Sequence, residues 1–172
     1  INSDKADLAL TEALKNTKSN VTIQKDIVLA IAEADASGAE QAIKDLLNSP
    51  DENTRKVALY ALSQIGSVGS LSTLGDLAAK SGYSMEKTGA NEAYIALIKK
   101  LANQGDTKVA ESAASDLMTK ATKAGKTQTR DAALEILISI QKEKGLKLIL
   151  DALKDDSKEY RNAALSYASG IV

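Results

Sequence analysis

The 172-residue sequence contains no cysteine and no histidine. Without them there can be no Cys/His zinc site, no Ser-His-Asp triad, no Cys-His nucleophile, no disulfide and no thiol redox step. Only carboxylate chemistry remains for a metal or a hydrolase, and no cofactor is expected. Tryptophan and phenylalanine are absent as well, so the aromatics are five tyrosines: Tyr60, Tyr83, Tyr94, Tyr160 and Tyr167. That is little surface for stacking bases or sugars. Lys and Arg number 22 against 23 Asp and Glu, a net charge of −1, which gives no bulk attraction to nucleic acid or to an anionic membrane. No apolar run approaches membrane-spanning length, so no membrane insertion is expected. Pro50 is the one proline. A strand-rich fold with many tight turns is disfavoured.

What is present is helix-forming: 28 alanines and 21 leucines, with apolar residues at helical spacing almost throughout. The spacing predicts ten helices. They are placed at 4–16, with Ser3 as N-cap and Leu8, Leu10 and Leu14 inward, then at 22–36, 39–48 and 51–65. The rest follow at 71–80, 90–103, 107–123, 127–142, 146–154 and 158–169. Glycine or an acidic turn punctuates most junctions, and 81–88 reads as the longest loop. Charge is uneven: residues 1–86 carry 8 basic and 12 acidic groups, residues 87–172 carry 14 and 11.

The even-numbered helices repeat one another. Arg55-Lys56-Val57-Ala58-Leu59, Arg130-Asp131-Ala132-Ala133-Leu134 and Arg161-Asn162-Ala163-Ala164-Leu165 share Arg-x-[Val/Ala]-Ala-Leu, with isoleucine at a fixed distance beyond. Weaker copies put Lys25 and Ala90 at the arginine position. A two-helix unit of 30 to 40 residues is the period of an α-solenoid, because one pair cannot bury its own apolar face and stacking the pairs makes a shared core. The expected units are 3–36, 39–66, 70–104, 106–143 and 145–171, forming a single domain that reads as a piece of a longer chain.

The stretches 48–59 and 152–165 resemble HEAT repeats, and most closely the short bacterial type named after the phycobilisome lyases. Each has an apolar first helix, an acidic turn, and arginine opening the second helix. The first and third units lack the acidic turn and the arginine. The resemblance implies a right-handed all-α superhelix of about five antiparallel helix pairs, with the second helices lining a concave surface. Carried along the alignment, the outward positions there are Asp26, Lys56, Tyr60, Gln64, Asn91, Asp131, Glu135, Asn162 and Ser166. The implied role is a non-enzymatic scaffold that binds another protein or a neighbouring domain. The alternatives are a nucleic-acid-binding or DNA-base-processing HEAT-like protein, or an accessory domain of a larger enzyme.

The recurring Arg55, Arg130 and Arg161 read as structural, each pairing with a turn carboxylate of its own or the next unit. Lys120, Lys123, Lys126 and Arg130 form the strongest hint of an anion site, yet no tyrosine lies among them and lysines favour a helix C-terminus anyway. Asp131 and Glu135 share one helix face at i, i+4 spacing, as solvated acids commonly do. The last helix carries a second apolar stripe, assigned to Tyr167, Ile171 and Val172, which predicts self-association through an uncovered C-terminal end.

Overall fold

The computed structural model describes residues 3–17 and 20–168. Among the described residues there are ten α-helices and no strand. They are α1 (Ser3–Asn16), α2 (Val21–Glu33), α3 (Glu40–Leu46), α4 (Glu52–Ile65), α5 (Leu71–Lys80), α6 (Ala90–Gln104), α7 (Thr107–Lys123), α8 (Thr127–Gln141), α9 (Leu146–Ala152) and α10 (Lys158–Ala168). Short 3-10 turns at Ser37–Ala39, Val68–Ser70 and Lys142–Gly145 lead into α3, α5 and α9. The sequence pattern gave the first of these turns partly to the third helix; its Ala39 is buried and apolar, and so mimics a helical position.

Side-chain chemistry sets several helix starts. Asp51 accepts from the Thr54 backbone N–H and hydroxyl, both at 2.7 Å, so Asp51 is the cap and Pro50 precedes it. Asn20 caps α2 through Ile23 N–H at 3.1 Å, and Ser157 caps α10 through Tyr160 N–H at 3.2 Å. Asp106 stands at the N-cap of α7 without a side-chain capping bond. Ser3 falls inside α1, and its side chain lies outside the described set. Gly105 closes α6 at φ 99°, a left-handed conformation that only glycine adopts without strain.

Consecutive helices pack in pairs, α1 on α2 through to α9 on α10. Across the pairs the even helices also touch in series: α2 on α4, α4 on α6, α6 on α8 and α8 on α10. Among the odd helices only α1 and α3 pack directly on one another to a comparable degree. The chain is therefore an all-α solenoid in which the even helices form the continuous layer.

One apolar core runs from Leu14 to Leu137 through Val28, Ile31, Ile43, Leu62, Leu97, Ile98 and Leu117. A second, smaller cluster of Leu134, Ile138, Ile149, Ala152, Tyr160 and Ala164 holds the last pair, with Met118 and Leu148 touching both. Two apolar assignments need correction. Leu8 is 65% exposed, so it is not one of the inward leucines of α1. Tyr167 is half-buried and turns to α8, so it does not belong to an outer stripe; Leu146, Leu150 and Leu165 are the exposed leucines of the last pair. Ile171 and Val172 lie outside the described residues.

Candidate interaction surface

The nine positions assigned to the inner face divide into three groups. Asp26, Tyr60, Gln64, Asn162 and Ser166 are exposed. Tyr60 offers the largest exposed ring, at 50%, projecting from the middle of α4. Gln64 donates to the Ser63 hydroxyl at 3.0 Å, and the Ser166 hydroxyl donates to the Ala163 carbonyl at 2.7 Å.

Lys56, Asp131 and Glu135 are half-buried, each with a partner. Lys56 pairs with Glu52 one turn earlier at 2.8 Å. Glu135 on α8 pairs with Lys99 on α6 at 2.7 Å, and Asp131 on α8 accepts from the Tyr167 hydroxyl of α10 at 3.0 Å. These two contacts run across the even helices from α6 to α10, one polar rung per step. Burial is the main cause that lifts the Asp131 carboxyl above its ordinary value, reinforced by Glu135 and opposed by the Tyr167 hydroxyl and Lys99. Burial, then the bond to Asp131, pushes the Tyr167 phenol up. Sequence reading found the two acids but not Lys99 or Tyr167, whose helices lie a full unit away. Only the stacking of helices could supply those partners.

Asn91 forms the third group and is a correction. It is fully buried, not outward. Its Nδ2 donates to the Thr129 hydroxyl at 2.7 Å, which in turn donates to the Tyr83 carbonyl at 2.6 Å. The chain of bonds ties α6 and α8 to the loop after α5. Asn91 Oδ1 is buried with no partner among the described residues. The third unit has no acidic turn, and its loop folds back over the start of α6, which turns this residue inward.

The three repeat arginines do not behave alike. Arg55 Nη1 donates to the carbonyls of Ser49 and Pro50 at 2.6 and 2.9 Å, and Arg161 Nη1 to those of Asp155 and Asp156 at 2.5 and 2.9 Å. Their hydrogen-bond partners are turn carbonyls, not the expected turn carboxylates. The acids still act at a distance, since Asp51 and Asp155 feel these cations. Arg130 instead reaches into the next unit. Its Nη2 donates to Asp155 at 2.5 Å, and its guanidinium carbon lies 3.6 Å from the Tyr160 ring centroid.

The basic cluster is partly neutralised. Lys120 pairs with Asp116 at 2.7 Å and Arg130 is held as above, leaving Lys123 and Lys126 without an ion-pair partner among the described residues. No group of three or more carboxylates poised for a metal ion occurs among the described residues, and no helix there is long and apolar enough to cross a membrane.

A family model for HEAT repeats matches residues 8–95, about half the chain. The match lies over the first three units, including the two that lack the acidic turn and the arginine. It bears on HEAT repeats in general and not on the lyase-type subdivision. No curated protein and no solved structure matches the chain.

Proposed function

Because this chain belongs to the HEAT-repeat family, whose members commonly serve as scaffolds for protein interaction, we propose that it is a non-enzymatic binding module that engages another protein, or a neighbouring domain, along the even-helix face. The observation that carries this reading is the row of polar rungs on that face. Lys99–Glu135 and Asp131–Tyr167 fix side chains from α6, α8 and α10 in one surface, with the exposed Tyr60 further along it. Pre-ordered polar groups around an exposed tyrosine suit a polar protein partner, since less side-chain entropy is lost on docking. Nucleic acid is the weaker reading. The face mixes charge signs, and it offers a single well-exposed ring for stacking.

A photo-crosslinking residue at position 60 and another at 115, an exposed position on α7, test the assignment. The first should trap one discrete protein and the second should not. Equal labelling, or firm retention of the purified chain on duplex DNA at low salt, would reject it.

A further inference from the structure

We propose that the groove between the second and third helix pairs is a docking site for an acidic segment of a partner protein that also carries an aromatic side chain. The proposal deepens the scaffold reading and rests on it; the groove opens beside the even-helix face, with Lys56 lining its edge.

The argument comes from two copies of one groove. Between the fourth and fifth pairs a groove of about 430 Å³ contains Arg130 and, one turn on, Leu134. There the chain supplies its own occupant for the arginine: Asp155 takes the guanidinium from one side and the Tyr160 ring covers it. Between the second and third pairs lies the equivalent groove, about 320 Å³, with Arg55 and Leu59 at the same repeat positions. Counting back from the repeat anchor, Ser84 and Gly89 stand where the last pair has Asp155 and Tyr160. The carboxylate and the ring are both missing from those positions.

What remains is a site with the receptor half of the pair. Leu47, Leu59 and Leu77 give apolar walls. Arg55 is aimed by its two bonds from Nη1 to turn carbonyls, and its other guanidinium donors have no partner among the described residues. Lys80 on the rim also has no ion-pair partner there. Of the two acids on the rim, Glu52 is paired with Lys56 at 2.8 Å and Glu86 accepts from the Thr88 hydroxyl at 2.6 Å, so Arg55, Lys56 and Lys80 leave the groove with one more cation than anion. A fork of free N–H donors binds carboxylate in two-point fashion, and its flat face accepts a ring. Beside apolar walls, that chemistry selects an acidic-aromatic peptide. The groove holds no tyrosine of its own on which a base could stack.

The test uses the full chain and fluorescein-labelled decapeptides with two aspartates and one tyrosine, spaced one, three or five residues apart. Fluorescence anisotropy should show saturable binding for at least one spacing. Changing its aspartates to asparagine, or its tyrosine to serine, should weaken binding about tenfold or more. Arg55→Gln should do the same. Because Arg55 also braces its own turn, Lys80→Glu is the second variant; this exposed side chain can be reversed in charge without disturbing the fold, and the reversal should weaken binding as strongly. Glu135→Gln, on the even-helix face, should leave binding unchanged. Three outcomes would overturn the proposal: no binding at any spacing, binding indifferent to Lys80→Glu, or displacement of the peptide by a single-stranded oligonucleotide at lower concentration. Loss of crosslinking at position 60 with groove binding intact would sink only the even-helix reading.

Discussion

The first four helix pairs and the fifth are built differently, although their sequences repeat the same motif. The body is held by one apolar core in which Leu62, Leu97, Ile98 and Leu117 are wholly out of water. The last pair buries a much smaller cluster and adds polar bonds to α8: Arg130 with Asp155 and Tyr160, and Asp131 with Tyr167. Apolar contact scales with area and has no preferred angle, whereas a guanidinium held between a carboxylate and a ring fixes one orientation. Where the core thins, directional bonds hold the angle between units. The body should therefore unfold as one unit and the last pair as a more loosely coupled one.

Truncating a core leucine in the body tests this most severely. Leu97→Ala should cost about 2–5 kcal/mol and lower a single cooperative transition. Ile149→Ala, in the smaller cluster, should instead speed hydrogen exchange in α9 and α10 while leaving the amides of α4 and α6 protected. If both variants shift one common thermal midpoint with uniform exchange, the distinction between body and last pair is wrong.

Next in size is Thr129→Val. It keeps the shape but removes the hydroxyl that joins the buried Asn91 amide to the Tyr83 carbonyl, leaving that amide only the weak contact to Met85 Sδ at 3.5 Å, at a cost of about 1–3 kcal/mol. Denaturant titration should show a lowered midpoint with an unchanged slope, and limited proteolysis should open the 81–89 loop. Native resistance at that loop would mean that the buried bonds do not anchor it.

Arg130→Gln and Arg55→Gln compare the arginine position in the two regions. The first removes an ion pair and a ring contact, so it should cost about 1–3 kcal/mol and loosen α9–α10 selectively. The second loses only bonds to turn carbonyls and should cost about 1 kcal/mol. Equal losses, measured by chemical denaturation, would remove the special status of the last interface.

The smallest effect is one of pH, and two carboxylates of the same interface should show opposite signs. The hydrogen bond from Arg130 is the main cause that holds Asp155 below the ordinary value of 3.8. Its contribution is complete above that value and disappears as pH falls through the lowered one. Burial holds Asp131 above 3.8, so the native state binds that proton more tightly than the unfolded chain. Asp131 therefore favours folding as pH falls toward its raised value, and ionising it on the way back up costs stability. Asp155→Asn should lose stability at neutral pH and flatten the acid limb. Asp131→Asn should be neutral or stabilising at neutral pH and lose that advantage in acid. Stability curves from urea titration between about pH 3 and pH 7 decide it; matching signs for the two variants would refute the assignment.

Much of the fold was legible because its cause is local and periodic. Helical spacing of Leu, Ile and Ala marked all ten helices, and α5 and α7 begin and end where the pattern placed them. The sites were less legible. Asn91 reads as outward on the repeat because residues 81–89, in a unit that breaks the motif, close over it only in three dimensions. Leu8 reads as inward because amphipathic spacing marks an apolar side of a helix but not whether a neighbour arrives to cover it. Tyr167 read as apolar surface because its Asp131 partner is 36 residues away.

The sequence by itself determined the class of structure and the limits on chemistry. Missing His and Cys remove whole families of reaction, and a period of 30 to 40 residues with two helices in each can bury its apolar faces only by stacking. The tertiary structure alone decided what each repeated arginine touches. The motif sets where its guanidinium starts, and Arg55 and Arg161 brace turns of their own units, but whether a carboxylate and a ring also arrive depends on the turn of the adjoining unit. At Arg130 that turn offers Asp155 and Tyr160, while at Arg55 the corresponding positions offer neither, so one residue type closes an interface in one place and faces an open groove in the other. Identical local sequence cannot encode that difference, because the energy of an ion pair or a ring contact depends on a group delivered by another part of the chain.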